Sequence, residues 1–153
     1  MNTLETSLYA VTSALQPTRR AWVQAAGTAL ASSGLSVSVA TIVVLVAQLG
    51  PGVQQKTLAT VAGINPAALV RTLDQAEAAG LLTRRNVPGN RRIKVIDLLP
   101  DGKKLASQIE KALAALRRKL LEDIPLQDVE TTARVLRLLE AKALAHVKDK
   151  RQE

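Results

Sequence analysis

The sequence predicts a mainly α-helical chain with one small β-hairpin, and three observations carry that prediction. Apolar residues make up 47% of the 153 positions, yet there is no Phe, one Trp and one Tyr, so the class is built largely from Ala, Leu and Val. Ala and Leu are strong helix formers. Apolar positions recur at helical spacing near both ends of the chain. Between those ends, one loop rich in Asn, Pro and Gly separates two short apolar stretches, which is how a hairpin reads.

Taken in order, Leu4, Leu8, Val11 and Leu15 predict a short first helix. Pro17, followed by Thr18, Arg19 and Arg20, predicts a new helix beginning there, since proline suits a first turn, and Ser33-Gly34 ends it. Residues 36–49 are read as a helix on length, although Thr41-Ile42-Val43-Val44 would equally suit a buried strand. Gly50-Pro51-Gly52 breaks the chain. Residues 55–62 and 66–79 predict two short helices separated by Gly63-Ile64-Asn65, with Asn65 as N-cap and Pro66 at the first helical position. After Gly80, residues 81–85 and 93–98 predict strands around the loop 86–92. Leu105, Ile109, Leu113, Leu116 and Leu120 form one helical stripe; beyond Ile124-Pro125, Val129, Ala133, Leu136, Leu139, Ala143 and Val147 form another. The tail 148–153 is expected to be frayed and solvated. Stripes at both ends of so short a chain predict pairing across a homodimer, with an intrachain three-helix bundle as the alternative.

The net charge of +8 favours a polyanionic partner. Without cysteine, disulfides and thiol redox control are excluded, and the single His146 leaves no imidazole cage or catalytic triad within one chain. No nucleophile elbow, phosphate loop or metal-ligand cluster occurs, so neither an enzyme nor a cofactor is expected. Residues 1–12 lack a basic stretch followed by an apolar core, and the longest apolar run, 39–49, is about half of the ~20 residues that span a bilayer. A cytoplasmic protein is expected.

Two short helices crossing steeply need a small residue at the crossing, a turn residue tolerant of positive φ and apolar side chains locking both sides. Ala59, Gly63, and the set Leu58, Ala62, Ile64 and Leu69 meet those needs. A hairpin follows directly, carrying Arg84, Arg85, Arg91, Arg92 and Lys94 with no acid between Arg84 and Lys94. The order helix, turn, helix, strand, basic turn, strand is that of a winged helix-turn-helix. Its second helix would enter the major groove of DNA, and guanidinium groups on the wing suit the narrow, electronegative minor groove.

The stretch 58–105 resembles the MarR family of regulators. The resemblance rests on Leu58-Ala59, on Asn65-Pro66, and on Asp74-Gln75-Ala76-Glu77-Ala78-Ala79-Gly80-Leu81. It continues through Asn90-Arg91-Arg92 and Leu98-Leu99-Pro100-Asp101-Gly102. It implies a homodimeric regulator, a repressor, that binds a short inverted repeat of double-stranded DNA. Residues 1–34 and 100–153 would form the dimerisation region and 35–99 the DNA-binding region, with recognition helix 65–79 and wing 84–94. Asn65, Ala67, Ala68, Val70, Arg71, Arg85, Asn90, Arg91 and Arg92 are the expected DNA-binding residues. Where the family pattern has a wing Asp, this chain has Asn90, which exchanges an ionic brace for a neutral hydrogen bond. Leu99 stands where a capping Thr is usual, at a cost of about 1 kcal/mol. In the recognition helix only Arg71 offers a bidentate base contact, to guanine; Ala67, Ala68 and Val70 offer apolar contact to thymine methyls or none.

The resemblance also implies a small aromatic or anionic effector that lowers DNA affinity. Trp22 beside Arg19 and Arg20, with Tyr9, is the aromatic and cationic cluster in the sequence; as the alternative, Trp22 is a core anchor and the arginines are solvated. A non-regulatory module remains the competing reading, either an architectural or RNA-associated winged helix or a protein–protein adaptor.

Overall fold

The computed structural model describes residues 2–31 and 33–151. Among them six helices and three strands follow in the order α1 (Thr3–Ala31), α2 (Val37–Leu49), β1 (Val53–Gln54), α3 (Gln55–Ala62), α4 (Pro66–Ala78), β2 (Leu82–Val87), β3 (Asn90–Leu98), α5 (Pro100–Leu121) and α6 (Leu126–Lys150). This is the expected mainly α winged-helix architecture. The chain divides into two units, residues 1–116 and 117–153.

In the first unit, α2 settles the ambiguity of the β-branched run in favour of helix. Ser36 caps it, its hydroxyl accepting from the Val39 N–H at 3.3 Å. Its Val39, Ile42, Val43 and Val46 enter a core with Leu58 of α3, Leu69 and Leu73 of α4, and Leu82 and Ile96 of the sheet. A smaller cluster joins Leu30 of α1, Ala40 and Val44 of α2, and Ile109 of α5. The sheet is antiparallel, in the order β1-β3-β2, with Leu82 opposite Leu98 and Arg85 opposite Val95.

Several expectations need correction. Helix α1 runs unbroken from Thr3 to Ala31 with Pro17 inside it, rather than as two helices. Proline removes one backbone hydrogen bond, but here the affected turn is exposed, so water can serve the freed carbonyl. The wing loop contracts from 86–92 to a turn at Pro88 and Gly89, because Asn86, Val87 and Asn90 pair through their backbones whatever their side chains. Strand β1 was not foreseen; two residues are too few for a periodic signal. Helix α6 persists through Lys150, where a frayed tail was expected; Gln152 and Glu153 lie outside the described residues.

Gly102 marks the closest approach in the core. A Cβ placed there would sit 1.9 Å from the Leu81 carbonyl oxygen. That oxygen accepts the Leu99 N–H at 3.0 Å, so α5 starts directly against the chain segment that links α4 to the wing.

The outer faces of the terminal helices remain uncovered. On α1, Leu4, Leu8, Tyr9 and Val11 are exposed. In the second unit, α6 buries no residue, and Leu126, Leu138 and Leu144 are at least half exposed.

Candidate nucleic-acid interface

The helix-turn-helix is built from α3 and α4. Gly63 ends α3 with φ 64°, and the Ile64 N–H returns to the Ala59 carbonyl at 3.2 Å. Leu58 and Leu69 are fully buried on either side of the crossing. Asn65 caps α4, its Oδ1 accepting from the Ala67 N–H at 2.8 Å, and Pro66 opens the helix. Since Leu69, Thr72, Leu73 and Ala76 face inward, the opposite face presents Ala67, Val70, Arg71, Asp74, Gln75 and Ala78 to solvent. Ala68 lies at the edge, half-buried, with its carbonyl accepting from the Thr72 hydroxyl at 3.2 Å.

The two arginines at the wing base are tied in opposite directions, because successive side chains of a strand point to opposite faces. Arg84 donates from Nε to Glu77 Oε2 at 2.8 Å and from Nη2 to Asp74 Oδ1, joining β2 to the recognition helix. Partial burial works against its charge, but the hydrogen bonds to Asp74 and Glu77 outweigh it, and the guanidinium pKa is raised. Arg85 donates from Nε to Asp97 Oδ2 at 2.8 Å, while Asp97 Oδ1 accepts the Gly52 N–H at 2.6 Å. The Arg85 hydrogen bond, aided by Gly52 and opposed by partial burial, holds the Asp97 carboxyl below the usual range. Arg85 therefore sits in a structural ion pair, although half its side chain is exposed.

Further along the wing, Asn90 Oδ1 accepts the backbone N–H of Arg92 at 3.0 Å, so its brace runs to the main chain and not to a guanidinium. Arg91, Arg92 and Lys94 are exposed, with no ion pair among the described residues. A cleft of about 550 Å³ lies between α3, the start of α4 and β3; its charged lining groups are Lys56, Arg92 and Lys94. No carboxylate lines it. Lys56 was missed from sequence, although its place in the first turn of α3 was a usable signal.

A second cleft, of about 670 Å³, is walled by Val44, Ala47, Leu98 and Ala106 and carries Asp97, Lys103 and Glu110. Tyr9, Arg19, Arg20 and Trp22 line neither cleft. All four are exposed on α1. Trp22, at 36% exposure, is no core anchor either, since the buried end of α1 begins only at Ala26. Among the described residues no group of His, Asp or Glu is arranged to hold a metal ion, and no helix is long and apolar enough to cross a membrane.

A family model described as MarR family matches residues 33–93, which hold the helix-turn-helix and the first part of the wing. Among solved structures, the transcriptional regulator PA3341 is 29% identical over 88% of this chain and 98% of its own, with a TM-score of 0.81. A MarR-family transcriptional regulator from Rhodococcus sp. RHA1 is 25% identical over 91% and 96%, with a TM-score of 0.74. CouR from Rhodococcus jostii RHA1, solved bound to p-coumaroyl-CoA, is 25% identical over 84% and 90%, with a TM-score of 0.73. With the crossing at Ala59 and Gly63, the arginine-bearing wing and these likenesses together, residues 33–93 match the MarR family, and the chain has the winged helix-turn-helix fold of that family's transcriptional regulators.

Proposed function

We propose that the protein is a homodimeric repressor that binds an inverted repeat of double-stranded DNA, with α4 in the major groove and the wing in the minor groove. The observation that carries this reading is the cleft between α3 and β3, whose only charged lining groups are Lys56, Arg92 and Lys94. It brings cations to the place where helix-turn-helix meets wing, which suits a phosphate strand passing there. Residues Asn65, Ala67, Ala68, Val70 and Arg71 face the bases, Arg91 and Arg92 enter the minor groove, and Asn90 shapes the wing tip. Arg85 contributes by holding the wing base through Asp97. The apolar faces of α1 and α6 form the dimerisation region, where Tyr9 and Trp22 serve as amphipathic anchors.

Selection of genomic fragments with the purified protein, followed by footprinting, tests the reading. A discrete palindrome with two protected half-sites is expected. The polar poverty of the α4 face favours one other reading, a non-regulatory winged-helix module. Uniform, steeply salt-dependent binding without a preferred sequence would establish that reading instead.

An effector fits the α2–α5 cleft better than the α1 surface. Its apolar wall suits an aromatic group such as the coumaroyl part of the p-coumaroyl-CoA that CouR holds, and Lys103, set between Asp97 and Glu110, is the one cation there for an acidic group. Titration of the DNA complex with aromatic carboxylates should release the DNA; retention at saturating ligand would exclude this class.

A further inference from the structure

We infer that this regulator selects its operator through the 5-methyl group of a pyrimidine next to a guanine that one arginine holds, and not through hydrogen bonds to several bases. The inference rests on the reading of α4 as the helix that faces the major groove.

Most polar groups of α4 and its cap are already engaged within the protein. Asn65 Oδ1 is held by the Ala67 N–H, and the Thr72 hydroxyl by the Ala68 carbonyl. Asp74 and Glu77 carry the carboxylates that could accept from cytosine N4, and Arg84 engages both. Gln75 retains its amide but stands one turn beyond Arg71, while base edges are met mainly by the N-terminal part of a recognition helix. The first two turns therefore present one guanidinium, Arg71, which has no partner among the described residues, and the alkyl groups of Ala67 and Val70. Val70 is 38% exposed.

Their spacing allows joint use. Ala67 and Arg71 are four residues apart and share a face, and Val70 adjoins them. With the Arg71 fork on guanine O6 and N7, the alkyl surface beside it falls on the neighbouring pyrimidine, where a C5-methyl is the group it can recognise. Thymine and 5-methylcytosine carry the same methyl. Burying one such carbon corresponds to about fourfold in affinity, hence about fifteenfold over two half-sites.

The test uses the full-length protein and the duplex recovered by selection, resynthesised with deoxyuridine at each thymidine in turn. At one position per half-site, uracil should weaken binding about fourfold. In a duplex carrying C·G at that position, 5-methylcytosine should bind about fourfold more tightly than cytosine. An Ala67→Ser, Val70→Ser double variant, with the melting temperature of the parent, should bind thymine and uracil duplexes within about twofold of each other. Equal affinity for every uracil duplex overturns the inference while leaving the DNA-binding reading intact, as does a double variant that keeps the full uracil penalty. Failure to recover any preferred duplex removes that reading and this inference together.

Discussion

Replacing Gly102 by Ala reverses an ordinary rule of helix energetics. Gly to Ala inside a helix normally stabilises by about 1 kcal/mol, from propensity alone. At position 102, in the first turn of α5, the added Cβ would lie 1.9 Å from the Leu81 oxygen, 2.9 Å from the Leu81 carbonyl carbon and 3.2 Å from Leu98 Cδ2. Real Cβ contacts essentially never fall below 3.0 Å, so helix and linker must part by more than 1 Å. The obstacle is backbone, and the Leu81 carbonyl is held by the Leu99 N–H. Overpacking of this kind costs about 3 kcal/mol or more when backbone must move. Subtracting the propensity gain leaves a net loss of about 2 kcal/mol or more. Gly27 in α1 is the control: a Cβ there meets Val37 Cγ2 at 3.7 Å, an ordinary contact, so Gly27→Ala should gain up to about 1 kcal/mol. Urea unfolding followed by circular dichroism, at matched protein concentration, measures both. A Gly102→Ala protein as stable as the parent would refute the close-approach argument.

Three further outcomes are expected. Arg92→Ala should weaken operator binding about tenfold or more in gel-shift titrations while leaving the proposed dimer and its melting temperature nearly unchanged, because Arg92 is exposed and its guanidinium pairs with nothing described. Lys56→Ala should lower the slope of log affinity against log salt by about 0.9 per subunit, the signature of one lost phosphate contact. Asp97→Asn should destabilise by about 1 kcal/mol at neutral pH. Since the folded Asp97 carboxyl is depressed, its contribution is present above the usual carboxylate range and fades as pH falls through the lowered value. The gap between parent and variant in urea midpoint should therefore close in acid, and a gap that is constant with pH would refute the assignment.

The legible parts of the chain were those whose signals are local. Helix α3 was bounded correctly at 55–62 because Gly63, Asn65 and Pro66 lie next to one another and each has a distinct backbone role. The hairpin was legible from Pro88-Gly89 and its flanks, although its strands were drawn too short where polar side chains masked a paired backbone. Long-range chemistry was not legible. Nothing near Arg85 reveals that Asp97 holds it, or that the same carboxylate reaches Gly52, 45 positions away in sequence. The clefts were hidden for the same reason: one is assembled from α2, β3 and α5, the other from α3, α4 and β3. The cluster of Tyr9, Arg19, Arg20 and Trp22 was close in sequence, and closeness in sequence along an exposed helix encloses no volume.

The uncovered apolar faces of α1 and α6 carry a consequence for dosage. In the proposed assembly, two subunits must meet before either face is hidden, so the amount of assembled regulator at low abundance rises as the square of the subunit concentration. Halving expression would then cut the operator-competent species about fourfold. Repression governed by such a law would switch over a narrower range of synthesis rates than a monomer could achieve, and the sharpness would come from bare leucines on two helices outside the proposed DNA-binding region.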